Sequence, residues 1–183
     1  MACTTISLAD IDYSCDDLGI GGIVELHLST RTNALAAIGA GNYDEDTRVI
    51  SAGNPSAGVS GIVHLSFNLK DGFSVFSEVK TVNADGTTTT VPTISVELPK
   101  MDADKTTALN QIAKGGAELV AWVKTAAGTF HVSGLDYGLY ASTVDANSGT
   151  GRAEKNRFQL TLTGEENGLS YSIGEADFNT ATA

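Results

Sequence analysis

The chain has 183 residues, with 11 Lys and Arg against 22 Asp and Glu, a formal charge of −11. That balance argues against tight sequence-independent binding to DNA or to an anionic membrane surface, because such affinity comes from Lys and Arg displacing counterions from phosphate. With 42 % apolar and only 18 % charged residues, the chain carries too much core material for a disordered protein, and its length suits one domain, 1–183, that needs neither disulfide nor metal to hold it.

Twenty glycines and three prolines point to short strands separated by many turns. Met1, Ala2, Cys3, Thr4, Thr5 and Ile6 lack the basic region and apolar core of a secretory signal, so a cytoplasmic translation product is expected. No apolar run reaches the length of a membrane span, and no membrane partner is expected. Cys3 and Cys15 read as reduced thiols without a redox role.

In chain order, 23–28 reads as a strand containing His27, and 32–43 as a weak helix or a strand. Segment 42–61, with Asp44, Glu45, Asp46 and Pro55, reads as a long exposed loop or arm, or as two short strands with a loop between them. From 63 to 69 the residues Val63, Leu65, Phe67 and Leu69 alternate with His64, Ser66 and Asn68, the period of a half-buried strand. A turn at 70–72 leads into a second strand, 73–82, in which Phe73, Val75 and Val79 oppose Ser74, Glu78 and Lys80, while Phe76 and Val82 intrude on the polar face. Asp85-Gly86 marks a hairpin turn into a Thr-rich strand at 87–98. Pro92 places that strand at an edge, or leaves it bulged or interrupted.

A short helix is predicted at about 102–114, with Asp102 as N-cap and Leu109, Ile112 and Ala113 as its apolar stripe. Strands follow at 118–124 and 129–133, a hairpin in which Trp122 supplies the largest buried side chain, then at 135–143. A final hairpin is predicted from Phe158, Leu160 and Leu162 to Leu169, Tyr171 and Ile173. The fold class is therefore mainly β, with one short α-helix.

The search for chemistry yields no catalytic, cofactor-binding or metal-binding residues. His27, His64 and His131 are far apart and lack a second ligand at metal spacing. No nucleophile elbow, zinc-protease pair or phosphate loop is present. The acidic residues Asp10, Asp12, Asp16, Asp17 and Asp44 to Asp46 read as solvated charge without the glycine and distal glutamate of a calcium loop. Trp122 with Tyr137 and Tyr140 could form a sugar platform, but Trp122 reads more readily as core. The strands instead present faces rich in Thr, Ser and Asn, with few of the Lys and Glu residues that normally blunt exposed sheets, a pattern suited to pairing between copies and equally to an ordinary monomeric β-sandwich with a mild surface.

Glu97, Leu98, Pro99 and Lys100 leading into the helix, the run 118–124, the run 128–134, Tyr137-Gly138-Leu139, the Ser148 to Gly151 loop and the run 156–165 together resemble tail tube proteins of tailed bacteriophages of Bacteroidota-type hosts. The resemblance spans about 60 to 85 residues. It implies a structural virion protein, not an enzyme, that needs no cofactor: a tail-tube-like β-sandwich or β-barrel protomer with one short flanking α-helix, of which six copies close into a ring, the rings stacking into a conduit for DNA ejection. It implies as partners further copies of the chain and other tail proteins, with genomic DNA passing unbound, in a virion tail assembled in the host bacterial cytoplasm. Six copies would carry about −66, six times −11, which repels DNA from the wall.

On this reading the lumen-facing candidates are His64, Ser66, Asn68, Ser74, Glu78 and Lys80, and the inter-subunit candidates are Phe76, Asp44, Glu45, Asp46 and Pro55. The face bearing Gln159, Thr161, Thr163, Ser170 and Ser172 competes for the lumen. Segment 42–61 is expected to bridge subunits and to be dispensable for folding. The alternatives are a head decoration or head-to-tail connector protein of the same virion and, from another class, a monomeric carbohydrate- or receptor-binding β-sandwich.

Overall fold

The computed structural model describes residues 21–39, 41–66, 74–114, 116–149, 154 and 156–183. Its elements in chain order are β1 (Ile23–Thr30), α1 (Arg31–Ile38), β2 (Tyr43–Asp44), β3 (Val49–Ile50), β4 (Val63–Ser66), β5 (Ser74–Val82), β6 (Thr88–Pro99), α2 (Ala103–Ile112), β7 (Leu119–Thr125), β8 (Phe130–Ser133), β9 (Leu139–Asn147), β10 (Arg157–Gly164), β11 (Tyr171–Ser172) and α3 (Glu175–Ala181). The protein is mainly β, with three short helices among the described residues in place of the single one expected.

Backbone ladders join the strands into one sheet folded over into two layers. The first runs β4-β1-β7-β8-β11-β3-β2 and the second β9-β10-β6-β5, linked by the pair Leu119–Leu139. All pairings are antiparallel except that of β3 with β11.

Strand β7 explains why there are two cores. Leu119, Ala121 and Val123 face the space between the layers, where they meet Leu26 and Leu28 of β1, Ile94 and Val96 of β6, Leu160 and Leu162 of β10, and Leu109 and Ile112 of α2. Val120 and Trp122 point the other way, into a second core with Ile50, Val132, Tyr171, Ala34 and Ile38 of α1, and Phe178 and Ala181 of α3. An alternating strand with five successive apolar residues has no solvent side, so it is covered on both faces. Trp122 is fully buried, and its indole Nε1 donates to Ser29 Oγ at 3.2 Å.

The helices start where capping chemistry permits. Asp102 Oδ1 accepts from Lys105 N at 2.9 Å, opening α2 as predicted. Thr30 caps α1 by accepting from Asn33 N, which settles the helix-or-strand choice at 32–43. In α3 the cap is Gly174, with no side-chain bond, and Glu175 and Asp177 complement the helix dipole. Seven residues offer too little periodicity to be read beforehand; burial of Phe178 and Ala181 holds this helix in place.

Several pairings differ from the sequence reading. The predicted hairpin at 158–173 does not form: β10 lies between β9 and β6, while β11 joins β8 and β3 in the other layer. Alternation specifies which side chains point inward and not which strand lies alongside. Likewise β4 pairs with β1 and β5 with β6, so the 63–82 segment is not a hairpin among the described residues. The Asn83 to Gly86 turn does form, with Asn83 N donating to Thr87 O at 2.8 Å and Gly86 at φ +85°. The strand expected at 135–143 begins only after Gly138 and runs to Asn147.

Pro92 lies in a strand flanked on both sides, at an interruption of one ladder. The β10 ladder ends at Thr163–Thr93 and resumes as an isolated bridge between Thr90 and Glu166, leaving Pro92 in the gap. The faces of β5 are also reversed. Phe76 packs on the interlayer core, Ser74 Oγ bonds to the backbone of Ile23, and Val79 on the opposite face is 62 % exposed. One phenyl ring buries more area than a valine, and the inward polar groups each find a specific partner.

Segment 42–61 takes the form of two short strands with loops and folds back onto the second core. Ile50, Pro55 and Val59 are buried. Val59 N donates to Ala181 O at 2.8 Å, and Gly53 N to Asp177 Oδ1 at 3.0 Å. It is an integral wall, and its deletion would open the core under Trp122. The exposed projection is instead the tip of the β5–β6 hairpin, where residues 79–88 are all exposed beyond the end of the β10 ladder.

Candidate functional site

The outward side chains of the second layer include Ser77, Thr93, Ser95, Gln159, Thr161 and Thr163, none of which belongs to either core. Ser95 and Thr161 bridge their hydroxyls at 3.3 Å, and Thr163 Oγ1 donates to Pro92 O at 3.2 Å. This produces a polar surface whose hydrogen-bonding capacity is partly used within the sheet. Beside it runs β5, which pairs with β6 alone among the described residues and so leaves its far edge open. Strands β4 and β2 end the first layer in the same way.

The predicted lumen set is scattered. His64 and Ser66 lie on β4, in register with His27 and Glu25 of β1, whereas Asn68 lies outside the described residues. Ser74 is bound to Ile23, and Glu78 is half-buried, accepting from Ser170 N at 2.8 Å and from Ser170 Oγ at 3.0 Å. Lys80 is exposed near the start of the hairpin tip. Of the predicted contact residues, Phe76 lies beside the His131 ring, with centroids 5.9 Å apart, and Pro55 is buried. Asp44, Glu45 and Asp46 are exposed at the β2–β3 turn. There Asp44 Oδ1 accepts from Asp46 N and Thr47 N, at 2.8 and 2.9 Å, and these bonds hold its carboxyl below the usual range. The competing residues Gln159, Thr161 and Thr163 lie together on the uncovered face, but Ser170 and Ser172 belong to the other layer.

Sequence reasoning missed a buried polar cluster at the corner where the chain passes from β10 to β11. Arg48 Nη1 contacts Asp136 Oδ2 at 2.8 Å and donates to Tyr171 OH at 2.8 Å, and Tyr171 OH donates to Asp136 Oδ1 at 2.7 Å. The guanidinium lies over the Tyr171 ring, 3.8 Å from its centroid. Glu166 accepts from the backbone N–H groups of Asp136 and Tyr137 at 2.9 and 3.2 Å. Burial pushes the Glu166 carboxyl and the Tyr171 phenol above their ordinary values. The available signal was weak: an arginine beside an acidic run, and a Glu165-Glu166 pair that reads as a turn.

Ser170 also sits 3.3 Å from His131 Nδ1, and the other imidazole nitrogen faces Thr129 Oγ1 at 3.0 Å. Nucleophilic catalysis would need the carboxylate to orient the imidazole and the imidazole to take the serine proton. Here the Ser170 hydroxyl donates to Glu78 itself, and the group ties β5 to the residue just before β11. Burial raises the Glu78 carboxyl and lowers the His131 imidazole, favouring the neutral form of each.

No protein family, curated protein or solved structure matches this chain. No group of three or more His, Cys, Asp or Glu among the described residues is placed to hold a metal ion, and no described helix is long and apolar enough to cross a membrane.

Proposed function

We propose that the protein is a structural subunit that assembles with its own copies through open sheet edges, as a phage tail tube protein does: six-membered rings stacked into a conduit for DNA, in a virion tail built in the bacterial host cytoplasm together with other tail proteins. The observation that carries this reading is β5. It is a nine-residue strand with one edge that no other described residue pairs, on a hairpin where Val79 and Val82 are 62 % and 69 % exposed. Monomeric proteins blunt such edges with charge, bulges or covering loops. The β5–β6 register runs from Ser74–Val96 to Val82–Thr88 without a bulge, and Lys80 is the one cation on β5. The open edges at the ends of the two layers are unlike one another, so joining one to another is heterologous, and a heterologous contact closes into a ring when its rotation allows. The charge of −11 suits a channel through which DNA slides without adhering.

Electron microscopy and sedimentation of the purified chain, wild type beside Val79→Lys, test the proposal. Wild type is expected to give rings or hollow tubes as concentration rises, and the variant to remain monomeric with an unchanged melting temperature. A wild-type chain that stays monomeric at high concentration, or a variant that assembles equally well, would refute it.

A further inference from the structure

We propose that the chain carries a binding site for a neutral oligosaccharide at the corner formed by Tyr137, Gly138 and Tyr140. Both tyrosines are exposed, at 59 % and 56 %, unlike Trp122, which is buried. They flank a cleft of about 600 Å³ whose other walls include Thr88, Thr89, Glu165 and Asn167, and on their far side a second cleft of about 400 Å³ shares Tyr137, Gly138 and Tyr140. These volumes are those of small-molecule sites, and two clefts sharing one aromatic divider suit a chain of several sugar units.

The lining selects the ligand class. Among the described residues no Lys or Arg lines the first cleft, whereas Glu165 and Glu166 do, so an anion is repelled there; in the second cleft Lys114 is balanced by Glu118. The two rings supply apolar faces for the C–H side of a pyranose. Two threonine hydroxyls, a carboxylate and an amide supply the mixed donors and acceptors that sugar hydroxyls need. The tyrosines are also held before any ligand arrives. Asp136 N and Tyr137 N are fixed by Glu166, Tyr137 OH donates to Asn167 Oδ1 at 3.2 Å, and Tyr140 stands in the β9–β10 ladder opposite Thr163. Gly138 separates them at φ +89°, buried where a Cβ would meet Glu118 Cβ at 2.7 Å, so this spacing is specific to glycine. A site prepared in this way loses little entropy on binding. The site does not depend on assembly.

Saturation-transfer NMR of the full chain with maltopentaose, cellopentaose, xylopentaose and penta-N-acetylchitopentaose, alongside tetramethylammonium as a cationic control, tests the proposal. Transfer to at least one oligosaccharide is expected, weakened about tenfold or more in Tyr137→Ala and in Tyr140→Ala, largely kept in Tyr140→Phe, with all three variants melting as wild type does. Absence of transfer to all four sugars, binding that neither alanine variant weakens, or binding of tetramethylammonium alone would each overturn it.

Discussion

Replacing Arg48 by Met tests the buried corner most directly. The Arg48 side chain is 13 % exposed and that of its partner Asp136 5 %. The substitution keeps much of the aliphatic length but removes the contacts to Asp136, to Tyr171 OH and to Gly168 O, the last at 3.2 Å. Arg48 sits at φ +55°, a cost common to both residues, so it cancels. What remains is a buried carboxylate stripped of its cation beside Glu166, and breaking a buried pair in this way costs about 3–5 kcal/mol. The loss should depend on pH. Glu166 already holds its proton more tightly when folded than its ordinary value near 4.5 allows, and losing the nearby cation strengthens this. A group raised in the folded state makes stability fall as pH rises through the window between its two values. The deficit of the variant should therefore be largest at pH 7 and above and shrink as pH drops towards 4.5. Urea unfolding followed by fluorescence of Trp122, the single tryptophan, measures both effects. A loss below about 1 kcal/mol at pH 7, or one identical at pH 7 and pH 5, would refute the reasoning.

Gly138→Ala forces an L side chain into a left-handed conformation against Glu118. It should cost about 1–3 kcal/mol, lowering the melting temperature by about 2–12 °C for a chain of this size, as scanning calorimetry would show. Trp122→Phe removes the bond to Ser29 and leaves a void in the second core. It should cost about 2–4 kcal/mol, measured by circular dichroism during urea unfolding, without altering the first layer's order of strands.

Features governed by neighbouring residues were legible from sequence: the Asp102 cap, the Asp85-Gly86 turn, the hairpin around Gly128 and the inward side chains Phe158, Leu160 and Leu162 all rest on contacts a few residues apart. Features governed by distant partners were not. The period of β10 is the same whether its neighbour is β11 or β9, and the corner that redirects the chain depends on Arg48 meeting Asp136, 88 residues away. On β5 the alternation was legible, but Phe76, read as an intruder on the polar face, marks the inward face, because Ser74 and Glu78 satisfy their hydrogen bonds inside and Phe76 outweighs Val79. The surfaces bearing on function were only half visible. Hydroxyl-rich faces can be counted in a sequence, but that no described strand other than β6 pairs with β5, and that Tyr137 and Tyr140 share one cleft, follows from topology.

Strand β7 has a consequence for how the molecule tolerates change. Since its odd and even positions between Leu119 and Val123 serve different cores, neither compartment can loosen without disturbing the partition they share. Melting should therefore be all-or-none for the described domain, and mutational drift along those five residues has no permissive direction: enlargement or truncation at any of them presses on a packed neighbour or deserts one.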